Sequence, residues 1–184
     1  MAYSIEPAYL VQNELTRLII KAGTDPVNKW FFTDGAFSPD SQLERTPNTW
    51  MHENFVVIEN KEILAYMEAY WSKPLNIISS FRLIFFNKTK TFIITKAIFQ
   101  YFEYLFISRG CKVINWTVAE KNYHAHRLYE KFIKNYFGHY AGKRHNAQMA
   151  YNGEISDIYL YEITLEEYIE WKNKRIQQAS AESR

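Results

Sequence analysis

The chain carries a single cysteine, Cys111, in 184 residues. One thiol excludes an internal disulfide and a cysteine cluster for metal, and a reducing, cytoplasmic setting is the expectation. Glycine and proline are also scarce, at 6 and 5, so few positions suit special backbone angles. No glycine lies between Gly35 and Gly110, and no glycine-rich nucleotide fingerprint is visible. Charge of one sign is lacking too. The 22 basic and 20 acidic residues leave a formal charge of +2, which does not fit a dedicated nucleic-acid binder; the clusters Lys143-Arg144-His145 and Lys172 to Arg175 are short. The longest apolar run, Thr91 to Ile107, is broken by Lys96 and Glu103 and falls short of the ~20 residues of a bilayer span. It reads as a buried helix, and no membrane contact is expected. The first residues lack a basic flank before an apolar run, so no signal peptide is read there. His52-Glu53 lacks the second histidine of a zinc motif, and no metal is expected.

What is present is a core. Hydrophobic residues make up 47% and aromatic residues 17%, with 14 Tyr and 13 Phe, far too apolar for disorder. The length fits one domain, placed at residues 1–164, followed by a C-terminal amphipathic helix and polar tail at 165–184.

Periodicity predicts the elements. A first strand at the N-terminus precedes a helix carrying Leu10, Leu15, Leu18 and Ile19, closed near Gly23. Residues 29–48, broken by Asp34-Gly35, Ser38-Pro39 and Thr46-Pro47, read as a short helix and a long loop. Asn54–Glu59 and Glu62–Trp71 form a hairpin turned at Asn60-Lys61, and Ile77–Phe86 is a third strand. Thr91–Ser108 is a helix apolar nearly all round, ended by Arg109-Gly110. Cys111–Val118 is a strand and Tyr123–Phe137 a helix. A hairpin follows, with strands around Gln148–Tyr151 and at Ile155–Ile163, turned at Asn152-Gly153. The expected fold class is α/β (α+β), with a mixed central sheet of about six to seven strands flanked by helices on both faces.

This element order, together with NYHAHRLYEKF at 122–132, resembles the GCN5-related N-acetyltransferase (GNAT) superfamily. The C-terminal stretch is similar to its ribosomal-protein-alanine acetyltransferase branch. The residues that carry the likeness are Asn122, Ala125, Leu128, Tyr129, Glu130 and Lys131, then Arg144, Asn146, Ala147, Asn152, Gly153, Asp157, Tyr159 and Tyr161. The resemblance implies acetyl-coenzyme A as donor and an amine of a protein or small molecule as acceptor. It implies that the Tyr129 hydroxyl protonates the departing thiolate; a core tyrosine satisfied by a neighbour is the other reading. Asn122 contacts the pantetheine arm or caps the helix that follows it. Arg144 and Asp157 are read as holding the hairpin or its partner helix.

One segment departs from the family pattern. The superfamily holds pyrophosphate on helix N-terminal amides after a Q/R-x-x-G-x-G/A motif. Thr89, Phe92 and Ile94 occupy those positions here. Either Asn87 to Thr91 still cradles phosphate, with Thr89 or Thr91 capping the helix and Lys88 and Lys90 adding charge, or Phe92 and Ile94 fill the pocket. Cofactor binding is therefore assigned to Thr89, Lys90, Thr91, Asn122 and Tyr129. Candidate bases for the amine are Glu68, His52, Glu53 and His124, with Tyr66, Glu68 and Tyr70 on one face of their strand. Tyr129 and Glu68 are the catalytic assignment.

Two functions follow. The first is an acyl-coenzyme A-dependent N-acyltransferase. The second is a fold-retaining protein without the reaction, acting by binding, as a virion or host-interaction protein of a bacterial virus would. Pairing of edge strands would give a homodimer. The first function depends on an open crevice between the strands beginning near Ile77 and Cys111.

Overall fold

A computed structural model describes residues 2–25, 52–72, 75–150 and 153–182. The helix and loop expected over 29–48, and Asn152 of the expected turn, lie outside these residues. Seven strands form one sheet: β1 (Tyr3–Pro7), β2 (His52–Glu59), β3 (Glu62–Ser72), β4 (Ile77–Phe85), β5 (Val113–Ala119), β6 (His139–Met149) and β7 (Ile155–Thr164). Four α-helices join them: α1 (Gln12–Thr24), α2 (Thr91–Glu103), α3 (Tyr123–Asn135) and α4 (Leu165–Glu182). The strand order is β1-β2-β3-β4-β5-β7-β6, with antiparallel pairs everywhere except β4 and β5, which run parallel. The fold class expected from the sequence is the one observed.

The two faces of the sheet bury different sets. Leu15 and Ile19 of α1 pack with Val56, Ile63, Tyr66 and Ile84 on one face. On the other, Ile94, Ile98, Tyr101 and Phe102 of α2 meet Met67, Phe81, Trp116 and Tyr161 of the sheet, with Phe132 of α3 and Tyr168 of α4 added. Helix α4 docks through aromatic stacking: Trp171 lies on Phe99 at 5.0 Å and Tyr168 on Phe106 at 5.1 Å. The β2–β3 turn takes positive φ at both Asn60 and Lys61, the pattern that matches the twist of a tight hairpin.

Three elements depart from expectation. The helix read over Thr91–Ser108 is α-helical only to Glu103, and Tyr104–Ser108 forms a π-helical turn. There the Arg109 amide donates to the Tyr104 carbonyl, an i→i+5 bond. Strand β6 begins at His139, well before the Gln148 expected, and pairs with β7 through two irregular steps. As a sheet-edge strand it is mostly exposed, so its polar residues give no alternation to read. Helix α1 runs through Gly23 to Thr24.

The α3–β6 junction is sterically tight. Gly138 has φ of +95°, and a Cβ there would lie 2.8 Å from Ile163 Cγ1 and 2.9 Å from the Glu162 carbonyl oxygen. Gly153, at φ +81°, has open space around it. Gly138→Ala is therefore expected to cost about 2–3 kcal/mol and Gly153→Ala about 1 kcal/mol, read as the shift in urea midpoint. Equal losses would show that backbone angle alone matters at both.

Candidate functional site

Strands β4 and β5 pair only at Ile77 with Val113 and Ile78 with Ile114. The cause lies in the neighbouring ladder. Against β3, Tyr70 pairs with Ser80 and Trp71 with Ile78, which leaves Ser79 as an extra residue, its hydroxyl donating to the Tyr70 carbonyl. Such a bulge bends its strand and raises the local twist. It falls immediately after the last β4–β5 pair, and the two strands separate from there. Beyond it, backbone groups on the facing edges have no ladder partner in this direction.

The resulting slot encloses about 140 Å³. Its walls include Ser80, Arg82 and Ile84 of β4, Thr117 and Ala119 of β5, Asn122 at the head of α3, Tyr129 and Gln148. A second, apolar cavity of about 50 Å³ lies on the α2–α3 side and shares Phe81, Leu83 and Tyr129 with the slot. Phe92 and Ile94 line neither cavity. Ile94 is wholly buried in the core, whereas Phe92 is 71% exposed with Lys96 over its ring. The expectation that these two residues fill the pocket is corrected: the helix turn at 92–94 points one outward and one into the core.

Tyr129 stands beside the slot with its ring against Trp116 at 5.3 Å and Tyr161 at 5.8 Å. Among the described residues none accepts a hydrogen bond from its hydroxyl. Desolvation pushes this phenol up to about 12, so it stays protonated at neutral pH. Asn122 caps α3, its Oδ1 accepting from the Ala125 amide at 3.3 Å, and also walls the slot.

The N-terminus of α2 differs from expectation. No side chain caps it at Lys90. The Thr89 hydroxyl and amide both donate to Asn87 Oδ1, at 2.7 and 3.0 Å, so Thr89 closes a turn before the helix. Lys90 pairs with the buried Glu59 at 2.9 Å, and Thr91 is the first helical residue. The opening amides of a helix have no intrahelical acceptor and favour anions.

Tyr66, Glu68 and Tyr70 do share a face, and they meet. Glu68 Oε1 accepts from Tyr66 Oη at 3.1 Å and Tyr70 Oη at 3.3 Å, and His52 Nε2 lies 2.9 Å away. Arg82 reaches Glu68 Oε2 at 3.1 Å. The His52 imidazole stacks on the Tyr70 ring at 4.2 Å. Burial pushes the Glu68 carboxyl up, but His52 and Arg82 outweigh burial and hold it below its ordinary value. Glu53, by contrast, is raised by burial despite its 2.6 Å pair with Arg109. His124 is exposed at the start of α3. Sequence reasoning missed Arg82, whose place opposite Glu68 is set by the β3–β4 register.

The β6–β7 hairpin is tied as expected through Asp157, which accepts from the Asn146 amide, with Lys143 at 3.0 Å and His145 at 2.9 Å. These donors hold Asp157 well below the usual carboxylate range. Lys143 also pairs with Glu120, and Lys172 and Lys174 pair with Glu103 and Glu170, so the basic clusters are largely neutralised locally. Among the described residues no group of His, Cys, Asp or Glu could hold a metal ion, and no helix is long and apolar enough to cross a membrane.

The sequence matches no family model and no curated protein sequence. The fold does match solved structures. Spermidine N-acetyltransferase SpeG of Vibrio cholerae, in complex with CoA and spermine, superposes with a TM-score of 0.69 at 16% identity, over 91% of this chain and 98% of that one. A SpeG mutant from the same organism gives 0.65 at 14% identity, covering 90% and 95%. The seven-stranded sheet with its parted parallel pair is thus a GNAT-like fold.

Glu68 gives a measurable signature. Its folded-state value lies below its ordinary 4.5, so its ionised form adds stability at neutral pH that is lost as pH falls through about 4.5 and below. Glu68→Gln is expected to cost about 2–4 kcal/mol at pH 7, discounted because Arg82 reaches solvent. The variant should also lose part of the acid slope of the wild type between pH 5 and pH 3, taken here as roughly the titration range of a carboxylate. Parallel stability–pH curves for the two would contradict this account.

Proposed function

We propose that this chain is an acyl-coenzyme A-dependent N-acetyltransferase of the GNAT superfamily, moving an acetyl group to a primary amine of a protein or small molecule. The observation that carries the reading is the slot opened by the Ser79 bulge, with Asn122 and an unpartnered Tyr129 in its wall. A fold shared with a protein solved with CoA and a polyamine supports it.

In this reading the donor lies on the α2–α3 side. The uncapped amides at Thr91, with the Thr89 turn and Lys90 beside them, receive the pyrophosphate in place of a glycine loop. Lys90 divides its charge between that anion and Glu59. Asn122 keeps its cap through Oδ1 and offers its amide N–H groups to the pantetheine arm. Backbone groups along the parted edges of β4 and β5 are free to pair with the arm's own amides, as an added strand would.

The amine nitrogen forms a bond to the thioester carbon while the carbon–sulfur bond breaks. Tyr129 delivers its hydroxyl proton to the leaving sulfur, a role open to a neutral phenol in a dry wall. The amine's own proton leaves through the Glu68 cluster. Glu68 is the fixed anion of that cluster, and the His52 imidazole beside it, 2.9 Å away, is its second member.

The second reading, a binding protein that keeps the fold without the reaction, is favoured by the missing glycines at the head of α2. One set of measurements separates the two. Calorimetry should show CoA and acetyl-CoA binding in the micromolar range, and thiol release should accompany amine acetylation. Tyr129→Phe is expected to lower kcat by about 10²–10⁴-fold while CoA affinity changes little. Binding without turnover selects the second reading. No heat at millimolar ligand rejects the acyltransferase reading and leaves the second.

A further inference from the structure

We propose that the acceptor of this enzyme carries an oxyanion, a carboxylate or a phosphate ester, and that Arg82 recognises it. This rests on the acyltransferase reading above and adds the acceptor's chemical class. The slot is walled by residues of both faces of the sheet, and the two sides differ. Phe81, Leu83 and Tyr129 face the α2–α3 side, where the donor is placed. Ser80, Arg82 and Ile84 alternate to the opposite face, the side of α1. An amine attacking a thioester held from one side approaches from the other. Arg82 is therefore on the acceptor's path.

Among the described residues the charge pattern there is unlike a polycation site. Arg82 is the only charged side chain among the described residues that wall the slot. The three buried glutamates each already hold a cation: Glu53 with Arg109, Glu59 with Lys90, and Glu68 with Arg82. Glu68 Oε1 is further saturated by His52, Tyr66 and Tyr70. A substrate ammonium thus finds no free carboxylate among these, and a second or third positive charge would meet the guanidinium.

The same arrangement suits an anion. A guanidinium has five N–H donors in a rigid fork that fits planar or tetrahedral oxyanions in pairs. The Glu68 contact comes from Nη1 alone. The side chain is 45% exposed, so its remaining donors are reachable from the slot. Its anchor is immobile, because Glu68 is 4% exposed and pinned by three further donors. The contact at Oε2 is an ion pair without a formed hydrogen bond, so charge keeps the guanidinium beside Glu68 while its N–H donors stay uncommitted.

The experiment is a panel of amines at fixed acetyl-CoA, read by thiol release, with wild type, Arg82→Gln and Arg82→Lys. α-Amino acids and O-phosphoethanolamine form the oxyanion arms and tell carboxylate from phosphate; ethylamine and spermine are the uncharged-tail and polycation arms. The expected result is kcat/KM at least about tenfold higher on one oxyanion arm than on ethylamine or spermine, which charge-assisted hydrogen bonds can supply. Arg82→Gln should remove that preference, read as the ratio of kcat/KM on the oxyanion arm to that on ethylamine, and Arg82→Lys should restore only part. Three results overturn the proposal: spermine as the best acceptor, an equal loss on every arm in Arg82→Gln, or no turnover of either oxyanion arm while acetyl-CoA binds. The wild-type panel decides without the variants should they fail to fold. Loss of acetyl-CoA binding in wild type, seen by calorimetry, would instead mark failure of the acyltransferase reading, and this proposal would fall with it.

Discussion

The site depends on one extra residue in β4. Ser79 has no partner in β3, and the bend it imposes comes where β4 and β5 have made only two paired positions. A regular β4 would continue the parallel ladder and close the sheet. The bulge also resets alternation, so Ile78 before it and Phe81 after it both reach the α2 core. Opening the slot therefore does not expose the hydrophobic face. A second irregularity at Leu64, between the Val57 and Ile58 pairings, does the same for β3, putting Ile63 against α1 and Ala65 against α2.

The parted strands are kept apart by what packs beneath them. Trp116 stacks on Tyr161 at 5.6 Å and touches Phe81 and Tyr129. Phe102, Phe132 and Phe137 meet edge to face behind them. Rings of this size bury a large apolar area in a shape that few rearrangements satisfy. The same packing holds the half-buried ring of Tyr129 against Trp116 and Tyr161 and leaves its hydroxyl without a partner among the described residues. Charge is handled differently on the two faces. Glu53 and Arg109 lie against Trp71 on the α2 side, while Glu68 and Arg82 lie on the α1 side.

Much of this was legible before any coordinates. The period of the helices, the hairpin at Asn60-Lys61 and the stripe of α3 all follow from residue spacing. Glu68 was readable as a candidate because period-two alternation puts it beside Tyr66 and Tyr70. Its true partners were not readable, since His52 and Arg82 come to it through the β2–β3 and β3–β4 registers. Strand β6 was foreshortened because an exposed edge strand need not alternate. The residues at 92 and 94 were legible as departures from a glycine motif, but their directions were not. A helix turn, not composition, decides that Phe92 meets solvent and Ile94 the core.

By itself the sequence determined most of the helices and strands that are described, because local periodicity is written in neighbouring residues, but not the extent of β6 or the π-helical turn at Tyr104–Ser108. It also places a phenol, Tyr129, on the helix that follows Asn122, within a run that resembles a known family. Only the tertiary structure decided that β4 leaves β5 after Ile78, that Phe92 does not plug the gap, and that a guanidinium stands at its far mouth. Those facts arise from the pairing of residues far apart in the chain, and no local pattern encodes a register.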